Sequence, residues 1–594
     1  MYAISSRQQA RHFARMTVSL LVALAVSACA DPAEPPSIVL ISIDTLRRDH
    51  VSAYGYERST TPRIDAFAAE GALFLNAVST SNWTLPSHMS LMTGLPPSLH
   101  RVEDDGNRLP ATLRTLAETL RENEYATAGF TSHVFLGEQF GFARGFDHYS
   151  TQWNKRAENV TNQAIAWLEK TGRDPFFLFV HYFDPHWNYD PPEPFASRFG
   201  PADSRYGDIE YLKRYLNPAD PLPTEVIGDV LRLYDGEIAY TDHHVGRLLD
   251  WLRERGRLDR TIIAIVSDHG EEFGDHGGFG HGTHLHGEVT RVPFVLRYPE
   301  RVEAGKQNQL AALSDVPLTL LRLAGLSVPD QFRLRGVDLS TSISEEQDRI
   351  TLLESTRWGP KRFAVLGSTH KLMTAGSYSP VFAVETNGRR VLKKIGPYVL
   401  EPALYDVASD PAERENLASR TPRSAVGAEL ELALAEFFDW NLQAVKMTFA
   451  GSGPVTDYTV HLRPDGGFVD EPFCVDAQAA FALLNLDSTV TARALGSTEV
   501  HLTLRLASDP VTLYLPLDAL SRELFVHVRR DGGSTHEATV ALPAAGASAV
   551  VPFAGSDAPQ CVVERTVPTL DASLEAVDLG EEDLERLRSL GYVR

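Results

Sequence analysis

Three runs of apolar, mostly β-branched or aromatic residues constrain this chain more than any other feature: Ser37–Ile43, residues 175–180 and Thr261–Ser267. They are apolar almost throughout rather than at alternate positions, the pattern of a strand covered on both faces in a parallel sheet. Each gives way to residues of opposite character. Asp44 follows the first, His181 with Asp184 and His186 the second, and Asp268-His269 the third. In open α/β sheets, ligands sit just past the carboxyl ends of the strands. One Asp after a strand reads equally as a helix cap. Three such ends delivered to one sheet edge predict a site.

The segments between these runs carry helical spacing. Thr60-Thr61-Pro62 opens a helix over 63–70, and further helices are predicted over 109–123, 160–171 and 225–255, the last capped by Thr224 and interrupted near Gly236. Shorter strands are predicted at 72–76, 126–130 and 292–296. This alternation gives a doubly wound, mostly parallel α/β sheet. Residues 190–223, rich in Pro, Asp and Tyr, are too long for a simple connection and read as a cover over the sheet.

Beyond residue 345 the pattern changes. Short strands at 362–366, 370–373 and 380–384 predict a small antiparallel subdomain, followed by a helix over 425–445. Residues 446–568 alternate in short runs separated by Pro, Asp and Gly, which predicts a separate β-sandwich-like domain. Residues 569–594 form a tail with a terminal helix, 581–590, that docks back. The catalytic α/β domain is accordingly assigned to 37–345 and the small subdomain with its helix to 346–445.

Arg7, Arg11 and Arg15 precede the apolar run 16–26, which ends in Val26-Ser27-Ala28-Cys29. That order marks residues 1–29 as an export signal too short to span a bilayer. Its end resembles a bacterial lipobox, which makes Cys29 the lipidated first residue of the mature chain and 30–36 a tether. The expectation is an exported lipoprotein on the periplasmic or cell-surface side, touching the membrane through its lipid anchor only. Cys474 and Cys561 then form either a disulfide or two separate thiols. With 56 Lys and Arg against 78 Asp and Glu, the net charge is −22 and no basic run exists, so nucleic acid is not expected as a partner. An anionic substrate remains compatible, because a bound cation inverts the local field.

The stretch Asn82-Trp-Thr-Leu-Pro-Ser-His-Met-Ser-Leu-Met-Thr-Gly94 reads as a loop entering a short helix, with Pro86 at its start and Gly94 at its end. Thr84 is either the cap of that helix or a nucleophile held where a helix N-terminus binds phosphate or sulfate esters. Asp, Asp, His and a hydroxyl suit one divalent ion, Zn²⁺, Mn²⁺, Mg²⁺ or Ca²⁺, which would lower the pKa of the Thr84 hydroxyl. His186 and His281 are placed to stabilise transition-state charge or protonate a leaving group.

Several motifs resemble the sulfatase family of the alkaline phosphatase superfamily: Asp44-Thr-Leu-Arg-Arg-Asp49, Ala53-Tyr-Gly-Tyr56, Thr60-Thr-Pro-Arg-Ile-Asp65 and Ser267-Asp-His-Gly-Glu-Glu-Phe-Gly-Asp-His-Gly277. Leu404-Tyr-Asp406, Asp410-Pro411, Asn416-Leu417 and the tail Leu587-Arg-Ser-Leu-Gly-Tyr-Val593 resemble that family's C-terminal subdomain. The resemblance implies its sheet architecture, a metal set of Asp44, Thr84, Asp268 and His269, and Thr84 as nucleophile. Arg47 and His88, inside the two motifs, complete the candidate catalytic set with His186 and His281. The departures point away from sulfate chemistry. Sulfatases carry Cys or Ser at the Thr84 position, oxidised to formylglycine, and an Arg where His88 stands. A second Asp is replaced by Thr45, and Gly129-Phe-Thr-Ser-His133 lacks the family's Lys. Thr nucleophiles resemble instead the superfamily members acting on phosphorus. The sequence therefore predicts a metal-dependent phosphate or phosphonate ester hydrolase acting on a small-molecule, glycan or lipid-headgroup ester. The alternatives are a sulfatase working without formylglycine and a degenerate binding module.

Overall fold

The computed structural model describes residues 35–341, apart from Asn154 and residues 216–220, and then strands and turns between residues 349 and 577. The signal segment with Cys29, most of the predicted helix at 425–445 and the terminal helix at 581–590 lie outside the described residues.

The main sheet has eight strands: β1 Ser37–Ile43, β2 Ala72–Val78, β3 Ala126–Thr131, β4 His148–Thr151, β5 Phe176–Tyr182, β6 Thr261–Ser267, β7 Phe294–Arg297 and β8 Gly305–Ala312. Their order is β8-β2-β7-β6-β1-β5-β3-β4. β1 lies at the centre, parallel to β5 on one side and β6 on the other, with Ile43 level with Tyr182 and Ser267. That register sets the ends of the three most apolar runs side by side. All seven residues of each of these strands are buried, as runs without alternation require. The sheet is mostly parallel. β7 is the exception, antiparallel to both β2 and β6.

The longer helices are α1 Pro62–Ala68, α2 Thr84–Thr93, α3 Leu116–Glu122, α4 Ala157–Thr171, α5 Thr224–Glu254 and α6 Val316–Leu323. α3 is shorter than the predicted 109–123. Pro110 interrupts the run, and Thr115 and Glu118 form a capping box that starts the helix later. α5 is continuous through Gly236, and Thr224 lies inside it with Pro223 as the cap. A Cβ at Gly236 would stand 2.8 Å from Pro191 Cγ and 3.0 Å from the Phe195 carbonyl. The glycine lets the 190s loop close onto the helix.

A four-stranded antiparallel sheet follows: β9 Thr351–Ser355, β10 Arg362–Leu366, β11 His370–Met373 and β12 Ala403–Asp406, in that order. One face packs Leu353, Ala364, Leu366 and Ala403 against Val78, Leu285 and Leu310 of the main domain. Further on lie two antiparallel sheets of five and four strands between residues 444 and 565. Ala444–Ala450 is a strand, so the predicted helix ends before it. Cys474 pairs level with Leu513, Leu513 with Met447, and the strand of Met447 then pairs with that of Cys561. Two strands therefore separate the cysteines, about 14 Å at the usual strand spacing, too far for a disulfide. Cys561 is a buried free thiol. Glu575–Ala576 returns to pair with Asn107–Arg108 of the main domain. No helix among the described residues is long and apolar enough to cross a membrane.

Candidate active site

The three strand ends build the floor of the site. Asp44 continues the β1 ladder by one bond, its N–H donating to the Tyr182 carbonyl (2.9 Å). The chain then turns at Thr45, which has φ 52°, a left-handed value costly for a β-branched residue. Tyr234 of α5 holds that turn. Its hydroxyl donates to the Thr45 carbonyl (2.7 Å) and accepts from the Arg47 N–H (2.9 Å). At the end of β6, Asp268 Oδ1 accepts from the N–H groups of Thr45 (3.2 Å) and His269 (2.9 Å). His269 Nδ1–H donates to the Gly270 carbonyl (2.9 Å), which leaves the Nε2 lone pair facing Asp268 Oδ2 at 3.2 Å and Asp44 Oδ1 at 3.7 Å.

α2 brings Thr84 to the same point. The helix begins at Thr84 with Trp83 as cap, two residues earlier than Pro86 suggests, and all ten of its residues are buried. Gly94, with φ 71°, closes it in the left-handed conformation. The Thr84 side chain caps nothing and its hydroxyl donates to His269 Nε2 (3.3 Å). One turn on, His88 Nδ1–H donates to the Thr84 carbonyl and its Nε2 accepts from Ser42, both at 2.9 Å. Burial holds the His88 imidazole neutral, with its pKa lowered to about 3. His88 thus lies beneath Thr84 and fixes its backbone.

Both Asp44 carboxylate oxygens and Asp268 Oδ2 are fully buried and accept no hydrogen bond. Burial pushes the Asp44 carboxyl up to about 7 and raises that of Asp268. Orphaned buried carboxylates of this kind are costly unless a cation meets them. Donor atoms of Asp44, Asp268 and His269 all lie within 4.8 Å of one another. The set, with the Thr84 hydroxyl, fits one divalent ion by geometry and by donor chemistry. His181, the sixth residue of β5, adds a neutral imidazole 3.2 Å from Asp44 Oδ2.

Histidines form the wall. The His281 ring stands 4.5 Å from that of His269 and 5.1 Å from that of His186. His281 Nδ1 lies 2.8 Å from Glu271 Oε1, and the other Glu271 oxygen accepts from the Tyr189 hydroxyl. Burial holds both members of that pair uncharged: it lowers His281 and lifts the Glu271 carboxyl to about 8. His186 Nδ1–H donates to the Trp187 carbonyl (3.0 Å). The Gly282 N–H donates to the Asn82 carbonyl (3.0 Å), tying the His281 loop to the entrance of α2.

Arg47 is not brought to this point. Its guanidinium grips Asp49 and Asp275, each with two hydrogen bonds, and the Glu271 carbonyl, so it braces the loops from outside. The sequence reading missed three residues here. Glu271 sat inside a quoted motif without a role. His181 was placed at the sheet edge but outside the ligand set. Arg357, whose guanidinium carbon stacks 4.5 Å from the Trp83 ring and whose charge lowers His281, lies in a loop between β9 and β10 that carries no motif.

Residues 36–326 match the family model for Sulfatase, and residues 274–439 match that for the N-sulphoglucosamine sulphohydrolase C-terminal region. An arylsulfatase of Clostridium perfringens is 28% identical over 389 residues, covering 52% of this chain and 79% of that protein. An N-acetylglucosamine-6-O-sulfatase of Bacteroides thetaiotaomicron is 23% identical over 514 residues, 70% of this chain and 89% of the relative. Among solved structures, the phosphonate monoester hydrolase of Agrobacterium radiobacter superposes with a TM-score of 0.52 at 21% identity, covering 68% of this chain and 94% of that one. Strand order, strand-end residues and the family models converge: residues 36–326 form a domain of the sulfatase family of hydrolases, continued over 274–439 by a sulphohydrolase C-terminal region.

Proposed function

We propose that this chain is a metal-dependent phosphate or phosphonate ester hydrolase in which Thr84 is the nucleophile. The observation that carries the reading is the Thr84 hydroxyl, first in a buried helix and 3.3 Å from His269 Nε2, above three carboxylate oxygens that accept no hydrogen bond. Asp44, Asp268, His269 and Thr84 would hold the ion, which supplies Lewis acidity and a lowered pKa for the hydroxyl. A threonine side chain oxidises to a ketone and not to the aldehyde of formylglycine, which separates this site from sulfatase chemistry.

Thr84 Oγ1, its proton released to solvent, forms a bond to phosphorus as the bond to the ester oxygen breaks. The helix N-terminus receives the charge that builds on the phosphoryl oxygens. His281 gives its Nε2 proton to the departing alkoxide and draws on the Glu271 carboxyl at Nδ1. Water, giving a proton to His281 Nε2, then attacks phosphorus, the Thr84 O–P bond breaks, and the phosphorus acid leaves as Thr84 takes a proton from solvent.

Thr84→Ala should lower kcat on aryl phosphate or phosphonate monoesters by on the order of 10³-fold or more, with metal content largely kept. Undiminished turnover in that variant overturns the mechanism. The curated relatives favour one competing reading, sulfate ester hydrolysis by Thr84 itself. Faster turnover of p-nitrophenyl sulfate than of the matching phosphate and phosphonate esters would establish it. The reading also places the enzyme at a membrane through a lipid on Cys29, and Cys29→Ser should move it into the soluble exported fraction.

A further inference from the structure

The loop that carries His281 has a second face. Glu271 turns inward to His281, and the next residue, Glu272, lies in a short strand pair, Glu272–Phe273 with Phe279–Gly280. Successive side chains of a strand leave on opposite faces. On the outer face stand His276, His284, His286, Glu272 and Glu288, none of which the mechanism uses. His276 Nδ1 lies 2.7 Å from Glu288 Oε1, and the His286 ring stacks on that of His276 at 3.7 Å. Donor atoms of His276, His286 and Glu288 all lie within 4.8 Å of one another.

His276 gives up a proton to ligate, since Glu288, against the effect of burial, raises its pKa to about 9. His276 Nε2–H donates to the Glu413 carbonyl (3.1 Å), so in the neutral ring the Nδ1 lone pair faces the Glu288 carboxylate. Two lone pairs at 2.7 Å require a proton or a metal ion between them. His286 is 8% exposed, and its Nδ1 has no hydrogen-bond partner while Nε2 meets the Tyr405 hydroxyl at 3.3 Å. His284 is excluded as a ligand. Its Nδ1 accepts from the His286 N–H, so Nε2 carries the proton and donates to Glu272 Oε2 (2.7 Å). Glu272 in turn accepts from the N–H groups of His276 and Gly278, which fixes the loop around the three donors.

We propose that His276, His286 and Glu288 form a second metal site, separate from the Asp44–Asp268–His269 set, that binds a zinc-type divalent ion and pins the His281 loop to the small sheet. Two imidazoles and one carboxylate are a zinc donor set, with water completing the shell. The stacked rings cannot both aim in-plane lone pairs at one ion, so His286 has to turn about its Cβ–Cγ bond, giving up its stacking on His276 and its Tyr405 contact for the ion. Glu413 and Tyr405, the outer partners of the two imidazoles, belong to the segment at and after β12. The ion therefore joins the catalytic loop to the neighbouring sheet.

The full chain, loaded with Zn²⁺ and passed through gel filtration, is measured for metal per chain. Wild type should retain two equivalents, Asp268→Asn one, Glu288→Gln one, and the double variant none. Failure of Asp268→Asn to retain any zinc overturns the proposal, as does a Glu288→Gln protein that still holds two equivalents. Co²⁺ added to the Asp268→Asn protein gives a readout that leaves the outer cluster intact. A visible nitrogen–oxygen ligand-field band that His286→Ala abolishes supports the site, and absence of the band overturns it. Loss of the first equivalent alone would indict the catalytic reading and leave this one standing.

Discussion

His281 makes one hydrogen bond that decides what its other nitrogen can do. Nδ1 is engaged by Glu271, which leaves Nε2 for other work in a ring that stands 4.5 Å from that of His269. His281→Ala should cut kcat by about 10²–10⁴-fold on alkyl esters and far less on p-nitrophenyl esters, whose leaving group needs no proton. Rates across a leaving-group series check this, and equal losses across the series would remove His281 from proton transfer. His88 acts differently, through the Thr84 carbonyl and Ser42. His88→Ala removes two buried hydrogen bonds and leaves a cavity, so urea unfolding should show a loss of about 2–4 kcal/mol with no leaving-group dependence. At this scale the sequence was legible where a side chain sits at a fixed offset from a strand end, as Asp44, Asp268 and His269 do. Glu271 was not, because only the fold decides which of two adjacent glutamates turns inward. Arg47 was misread because its position after Asp44 says nothing of Asp275, 228 residues away.

Among the elements, α5 shows where propensity gives way to packing. Glycine lowers helix stability by roughly 0.5–1 kcal/mol against alanine, so a break at Gly236 was the local expectation. The backbone of the 190s loop overrides it, since Pro191 and Phe195 need the space of the missing Cβ. Gly236→Ala should therefore destabilise by about 1–3 kcal/mol despite its better propensity, through overpacking against that loop. Urea unfolding tests the sign, and a stabilised variant would show that the loop simply moves aside. The buried strands were legible to within two residues because complete burial leaves a continuous signature. α3 was overdrawn because its apolar spacing runs back through Pro110, and only the capping box locates its start.

At the scale of the whole molecule, the small sheet is part of the catalytic domain's architecture. Glu354 of β9 is fully buried: its backbone N–H donates to the Thr80 carbonyl, its carbonyl accepts from Ser81, and its carboxylate accepts from the Ser98 N–H and hydroxyl. Lys371 of β11 pairs with Glu413 in a buried ion pair (3.0 Å) and donates to the Leu285 carbonyl. Lys371→Met should cost about 3–5 kcal/mol, because it strands the Glu413 charge, and denaturant titration reads that loss. A fragment ending at residue 345 should fail to fold cooperatively for the same reason. The boundary at 345 follows a real change in sequence pattern, yet the contacts that close the site cross it, and no local pattern announces them. The alternation at Glu271 and Glu272 carries a final consequence. Adding or deleting one residue there would exchange the inner and outer carboxylates, so an indel library across 267–289 should yield almost no active clones, whereas point substitutions at its glycine-rich tip remain tolerated. The length of that loop, more than its composition, is what selection has to preserve.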